Sequence, residues 1–117
     1  MIYLATPYSH PEASIKLERF EAACLQAGRM IQAGLNVICP MVHSHPIATR
    51  LSLPGDWEMW GSLDKDILRR CDEVWVYMLY GWDKSEGVCK EIMFAEQEGI
   101  PIMYVNPENP YNARPRG

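Results

Sequence analysis

Two apolar runs stand out in the second half of the chain. Residues 73–79, EVWVYML, are β-branched and aromatic with no polar interruption after the first position, and residues 100–105, IPIMYV, repeat that character. Both have the pattern of strands buried on both faces of a parallel sheet. Between them Ser85 suits a helix N-cap and Glu86 the positive end of the helix dipole, while Val88, Ile92 and Ala95 or Phe94 supply an apolar stripe at helical spacing. Gly99 stops that helix. The unit reads as βαβ, with a right-handed crossover.

The first half has the same rhythm. Residues 2–6, IYLAT, form a short strand that Pro7 ends. Pro11, preceded by Ser9 or His10 as cap, opens a helix to about Ala33 with Ile15, Phe20, Cys24, Ala27 and Ile31 near one face. Gly34 closes it and residues 35–39 make the second strand. From Pro40 to Gly55 no period is visible, which predicts a long loop, a candidate for substrate contacts or a lid. Asp56 then caps a helix to about Cys71 whose buried face is Trp60, Leu63, Ile67 and Cys71, with Asp64 beside that stripe. The tail, NPENPYNARPRG, predicts no regular element and either wraps a surface or reaches a neighbouring subunit. Together these elements predict a single α/β domain over residues 1–117, a flavodoxin-like three-layer α/β/α fold with a parallel sheet of four or five strands in the order 2-1-3-4.

Composition narrows the chemistry. With 117 residues, 48% hydrophobic and 22% charged, the chain suits one soluble domain, and a net charge of -4 argues against a nucleic-acid backbone as partner. Cys24, Cys39, Cys71 and Cys89 form no CxxC pair and fall inside predicted elements, as buried thiols in a reducing cytosol do. No signal peptide or membrane span is legible, so a cytoplasmic location without membrane contact is expected. His43 and His45 have a spacing that can chelate a metal, but no carboxylate or cysteine accompanies them at ligand spacing. They are expected to line a pocket, and neither a metal nor a cofactor is expected.

Ligands of open α/β sheets bind where the carboxyl ends of strands meet helix N-termini. Residues 80–87 fall there, and Glu91 lies one turn into the following helix, flanked by Val88 and Ile92 at the buried edge.

Three segments in order, Ile2-Tyr3-Leu4-Ala5, Asp64 to Asp72 (DKDILRRCD) and Ser85 to Glu91 (SEGVCKE), resemble the nucleoside 2-deoxyribosyltransferases and related nucleotide N-glycosidases over nearly the full length. The resemblance implies that Glu91 is the nucleophile, that Asp64 is the acid serving the leaving base, and that Tyr3 holds the nucleophile's carboxylate. It implies that Gly87 lets the backbone come close to the sugar. In that superfamily serine at the position of Ser85 tends to go with nucleotides and aspartate with nucleosides, so the resemblance points to a 5′-monophosphate. Lys84 would favour that dianion, while Asp83 and Glu86 would oppose it. Thr6 and Tyr8 of the first loop and His43 and His45 of the HSHP segment depart from the superfamily's base-binding residues. They are expected to contact a substrate whose base stays unidentified.

The chemistry asks for these residue types. Breaking an N-glycosidic bond passes through an oxocarbenium-like state that a carboxylate can stabilise or trap, and the leaving base needs a proton from a second carboxyl. The expected activity is cleavage or transfer at the N-glycosidic bond of a nucleoside or nucleoside 5′-monophosphate; the alternative is a non-catalytic nucleotide-binding or sensing module. The resemblance also implies a homo-oligomer, for which the segment from Trp57 to Trp60 offers an apolar patch.

Overall fold

The computed structural model describes residues 1–116. Five strands form one sheet in the order β2-β1-β3-β4-β5. β1 (Ile2–Ala5) pairs in parallel with β2 (Val37–Ile38) and with β3 (Glu73–Tyr77), and β3 pairs in parallel with β4 (Ile102–Val105). Side chains alternate across the sheet with period two. Ile2, Leu4, Trp75, Tyr77 and Val105 therefore pack with Ala23 and Met30 of α1 (Ala13–Gln32) on one face. Tyr3, Ala5, Val74 and Val76 pack on the other with Leu68 of α3 (Trp57–Arg69) and with Val88 and Ala95 of α4 (Glu86–Gln97). The result is the expected three-layer α/β/α domain. Fully burying each of these valine or leucine side chains contributes roughly 1.5–3 kcal/mol.

Several local expectations change. α1 starts at Ala13, without a side-chain cap from Ser9 or His10. Ser9 Oγ instead donates to the Gly55 carbonyl, and His10 Nδ1 accepts from the Glu12 N–H. The buried stripe of α1 is Ala23, Gln26 and Met30, leaving Ile31 59% exposed. Gln26 is an inward polar residue because its amide reaches the Pro110 carbonyl at 2.8 Å.

The predicted long loop is largely a helix, α2 (Pro40–Leu51), followed by a short connection of residues 52–56. Pro40 sits at its first turn, where a missing N–H costs nothing. Pro40, Ser44 and Ala48 face inward at i, i+4, i+8. Ser52 ends α2 in the left-handed conformation at φ 55°. The tail is not wholly irregular either: β5 (Ala113–Arg114) pairs antiparallel with β4, Tyr104 opposite Arg114. No helix among the described residues is long and apolar enough to cross a membrane.

Candidate functional site

A cavity opens at the carboxyl end of β1, where α2, α3 and α4 converge. Its lining includes Leu4, Thr6 and Tyr8 from β1 and the loop after it, Met41 and Ser44 from α2, Trp57, Trp60 and Asp64 from α3, and Ser85, Gly87 and Glu91 at the start of α4. Its volume is about 120 Å³.

Glu91 reaches this cavity because α4 starts at residue 86 and turns positions 88, 91 and 95 inward. It is 7% exposed, and its Oε2 accepts a hydrogen bond from the hydroxyl of the fully buried Tyr3. Burial raises the Glu91 carboxyl to about 8; the Tyr3 hydroxyl works against that rise and Asp64 adds to it. Tyr3 itself is pushed well above the ordinary tyrosine range, first by burial and then by Glu91 and Asp64. Asp64 is raised to about 6 by burial. Burial is the leading cause for both carboxyls, and the Asp64 charge adds to the rise at Glu91.

α3 presents Asp64 on its inward side. Asp56 caps the helix by accepting from the Met59 N–H at 3.0 Å, and the inward stripe runs through Gly61, Asp64 and Leu68. Leu63, expected in the stripe, lies one position round and is 38% exposed. Gly61 leaves space for the Trp57 ring, which a Cβ would meet at 2.7 Å. Trp57 and Trp60 are half-buried and both border the cavity.

Gly55 and Asp56, at the end of the connection 52–56, border the cavity. The Trp60 indole N–H donates to the Pro54 carbonyl at 2.6 Å, Ser9 Oγ donates to the Gly55 carbonyl, and the Tyr8 ring lies against Gly55, where a Cβ would meet it at 2.6 Å. At the other wall Ser85 Oγ accepts from the Val88 N–H at 3.3 Å as the N-cap of α4. A Cβ on Gly87 would have only that oxygen near it, at 3.9 Å, so the glycine leaves this wall open.

Of the residues singled out from the sequence, Glu91, Asp64, Ser85, Gly87, Thr6 and Tyr8 share the cavity, and Tyr3 supports Glu91 from beneath it. His43 and His45 do not line it. Because Ser44 faces inward, His43, one residue back on α2, is turned to solvent. His45 stacks on Phe20 with ring centroids 4.3 Å apart and bonds the Tyr8 hydroxyl, supporting the cavity wall from behind. Among the described residues no group of three or more metal-ligating side chains comes together.

Sequence reasoning missed Ser44, Trp57 and Trp60 as lining residues. The spacing of Trp57, Trp60 and Asp64 at i, i+3, i+7 would have found the two tryptophans. Among the lining residues are Asp56, Asp64, Glu86 and Glu91, and none is Lys or Arg. Three buried side-chain oxygens among the described residues have no hydrogen-bond partner, Thr6 Oγ1, Ser44 Oγ and Asp64 Oδ1, and all three belong to this cavity.

A comparison with curated proteins gives no match. A family profile, described as a domain of unknown function (DUF1937), matches residues 1–106, so the chain belongs to the DUF1937 family.

Proposed function

We propose that this protein cleaves, or transfers at, the N-glycosidic bond of a nucleoside, with Glu91 as nucleophile and Asp64 as the acid that serves the leaving base. The observation that carries this reading is the buried Glu91 carboxyl, held by the Tyr3 hydroxyl in a cavity that also takes a second proton-holding carboxyl. The sequence resemblance to the nucleoside 2-deoxyribosyltransferases supports the same roles.

One proton shared by the pair suffices. Glu91 attacks the anomeric carbon as a carboxylate while Asp64 gives its proton to the base nitrogen; the C–N bond breaks and its electron pair leaves with the base. The resulting glycosyl ester on Glu91 is then taken by water, or by the nitrogen of a second base, which gives a proton back to Asp64. In the ligand-free cavity Glu91 holds its proton to the higher pH. The reactive form is therefore the tautomer in which that proton has moved to Asp64, and the Tyr3 O–H favours it by stabilising the Glu91 anion.

Tyr8, Trp57 and Trp60 supply apolar faces against which a planar base can stack. The acidic lining favours an uncharged nucleoside over a 5′-monophosphate, against the expectation raised by Ser85, whose oxygen already serves as the helix cap. Incubation with ribo- and deoxynucleosides and their monophosphates, with assay for free base, tests the proposal. Base release from nucleosides in preference to monophosphates is expected, and no release from any of them by folded protein would overturn it.

A second reading, binding without turnover, is favoured by the burial that keeps Glu91 protonated at neutral pH. Nucleoside binding that is indifferent to Glu91→Gln and yields no free base would select it.

A further inference from the structure

The hydroxyls of Thr6 and Ser44 face the cavity without a well-formed hydrogen bond to the protein; the Cys39 thiol is the polar group that Thr6 bears on. Thr6 is 7% exposed and Ser44 8%, and neither oxygen has a hydrogen-bond partner. A buried hydroxyl that bonds to neither protein nor water opposes folding, whereas an apolar group of the same shape would not. They come from different layers, Thr6 from the end of β1 and Ser44 from the inward stripe of α2, yet both border the same cavity together with the unpartnered Asp64 Oδ1.

At about 120 Å³ the cavity is smaller than the roughly 300 Å³ at which sites for small organic ligands begin, so a nucleoside seated there presses on its walls. The connection 52–56 is seated by the Ser9 and Trp60 hydrogen bonds to the Gly55 and Pro54 carbonyls.

We propose that Thr6 and Ser44 are specificity-determining residues, whose hydroxyls hydrogen-bond a polar edge of the substrate in the cavity. The proposal rests on the nucleoside reading above and adds to it the residues that recognise the substrate. A hydroxyl both donates and accepts, so the pair suits an edge bearing both functions. Either the hydroxyls of the pentose or the amide edge of the base has that chemistry.

Thr6→Val and Ser44→Ala remove the hydroxyls with little change in shape, and Thr6→Ser restores one. Thermal unfolding of the ligand-free variants is compared with wild type, and KM and kcat are measured on the four common ribonucleosides and their 2′-deoxy counterparts. The expected result is a Tm equal to or above wild type, with KM raised about tenfold per hydroxyl lost, little change in kcat, and recovery in Thr6→Ser. A KM increase confined to the ribonucleosides identifies the sugar as the recognised edge, and one that varies with the base identifies the base; both support the proposal. A Tm several degrees lower in both ligand-free variants would show the hydroxyls to be structural and overturn it, as would an unchanged KM in variants that still cleave nucleosides. Should wild type release no base at all, the nucleoside reading fails. A Tm several degrees lower in both variants would then still overturn the proposal.

Discussion

The hydroxyl of Tyr3 donates to Oε2 of Glu91 across a sequence separation of 88 residues. β1 and the inward face of α4 have to be in place for these two side chains to meet, so the first strand of the fold and the candidate nucleophile form one structural unit. Tyr3→Phe removes the donor and leaves the ring packed. Loss of a hydrogen bond to a charged group, worth about 1.5–3 kcal/mol, is expected to lower kcat by roughly one to two orders of magnitude. It should also move the alkaline limb of the pH profile upward, since the Glu91 anion loses its stabilising partner. Steady-state kinetics over pH checks both.

The pair of carboxyls sets a working window. With Asp64 raised to about 6 and Glu91 to about 8, both keep protons below the lower value and both lose them above the higher. Only the singly protonated pair offers a nucleophile and an acid together, so kcat/KM is expected to be bell-shaped between those limits, the two limbs belonging to the pair. A profile flat from pH 5 to pH 9 would contradict the assignment.

Stability should carry the same signature with a definite sign. Glu91 holds its proton more tightly folded than unfolded, its value rising from 4.5 to about 8, so the folded state loses stability as pH climbs through that interval. Glu91→Gln keeps an acceptor for Tyr3 and removes the titration. It is expected to stabilise the protein by on the order of 2–4 kcal/mol at pH 8.5 and by little at pH 4.5. Urea unfolding of both proteins at the two pH values measures the difference.

Gly55 and Gly28 make a matched pair of tests. A Cβ at Gly55 would meet the Tyr8 ring at 2.6 Å, whereas at Gly28, inside the C-terminal half of α1, it would meet nothing within 4 Å. Gly55→Ala is expected to cost about 1–3 kcal/mol and to reduce kcat/KM by displacing Tyr8 from the cavity wall. Gly28→Ala is expected to stabilise by about 0.5–1 kcal/mol with activity unchanged. Equal effects on unfolding and kinetics would mean that residues 52–56 are not seated on Tyr8.

The sheet was readable because strands buried on both faces leave unbroken apolar runs, as in residues 73–77 and 102–105. α2 was not, because it packs inward through Pro40, Ser44 and Ala48, whose small or polar side chains bring the helix close without marking a hydrophobic period. β5 was hidden for a different reason: two residues pair there because β4 offers an open edge, not because Ala113 and Arg114 favour a strand. On α3 the apolar Leu63 drew the predicted stripe one position away from Asp64, since hydrophobic patterning does not anticipate a carboxyl on a buried face. The histidines illustrate the same difficulty on α2. With Ser44 inward, neighbours on either side diverge by about 100° along a helix, so His43 and His45 could not both face the cavity.

The most direct test follows the sugar. Wild type and Glu91→Gln are each mixed with the nucleoside that wild type cleaves best, quenched in acid during turnover, and measured for free base and for intact protein mass. The expected outcome is free base with wild type, a pentosyl adduct mapping to the peptide that holds Glu91, and neither product with Glu91→Gln. Base release by Glu91→Gln at the wild-type rate, without an adduct, would contradict a nucleophilic Glu91.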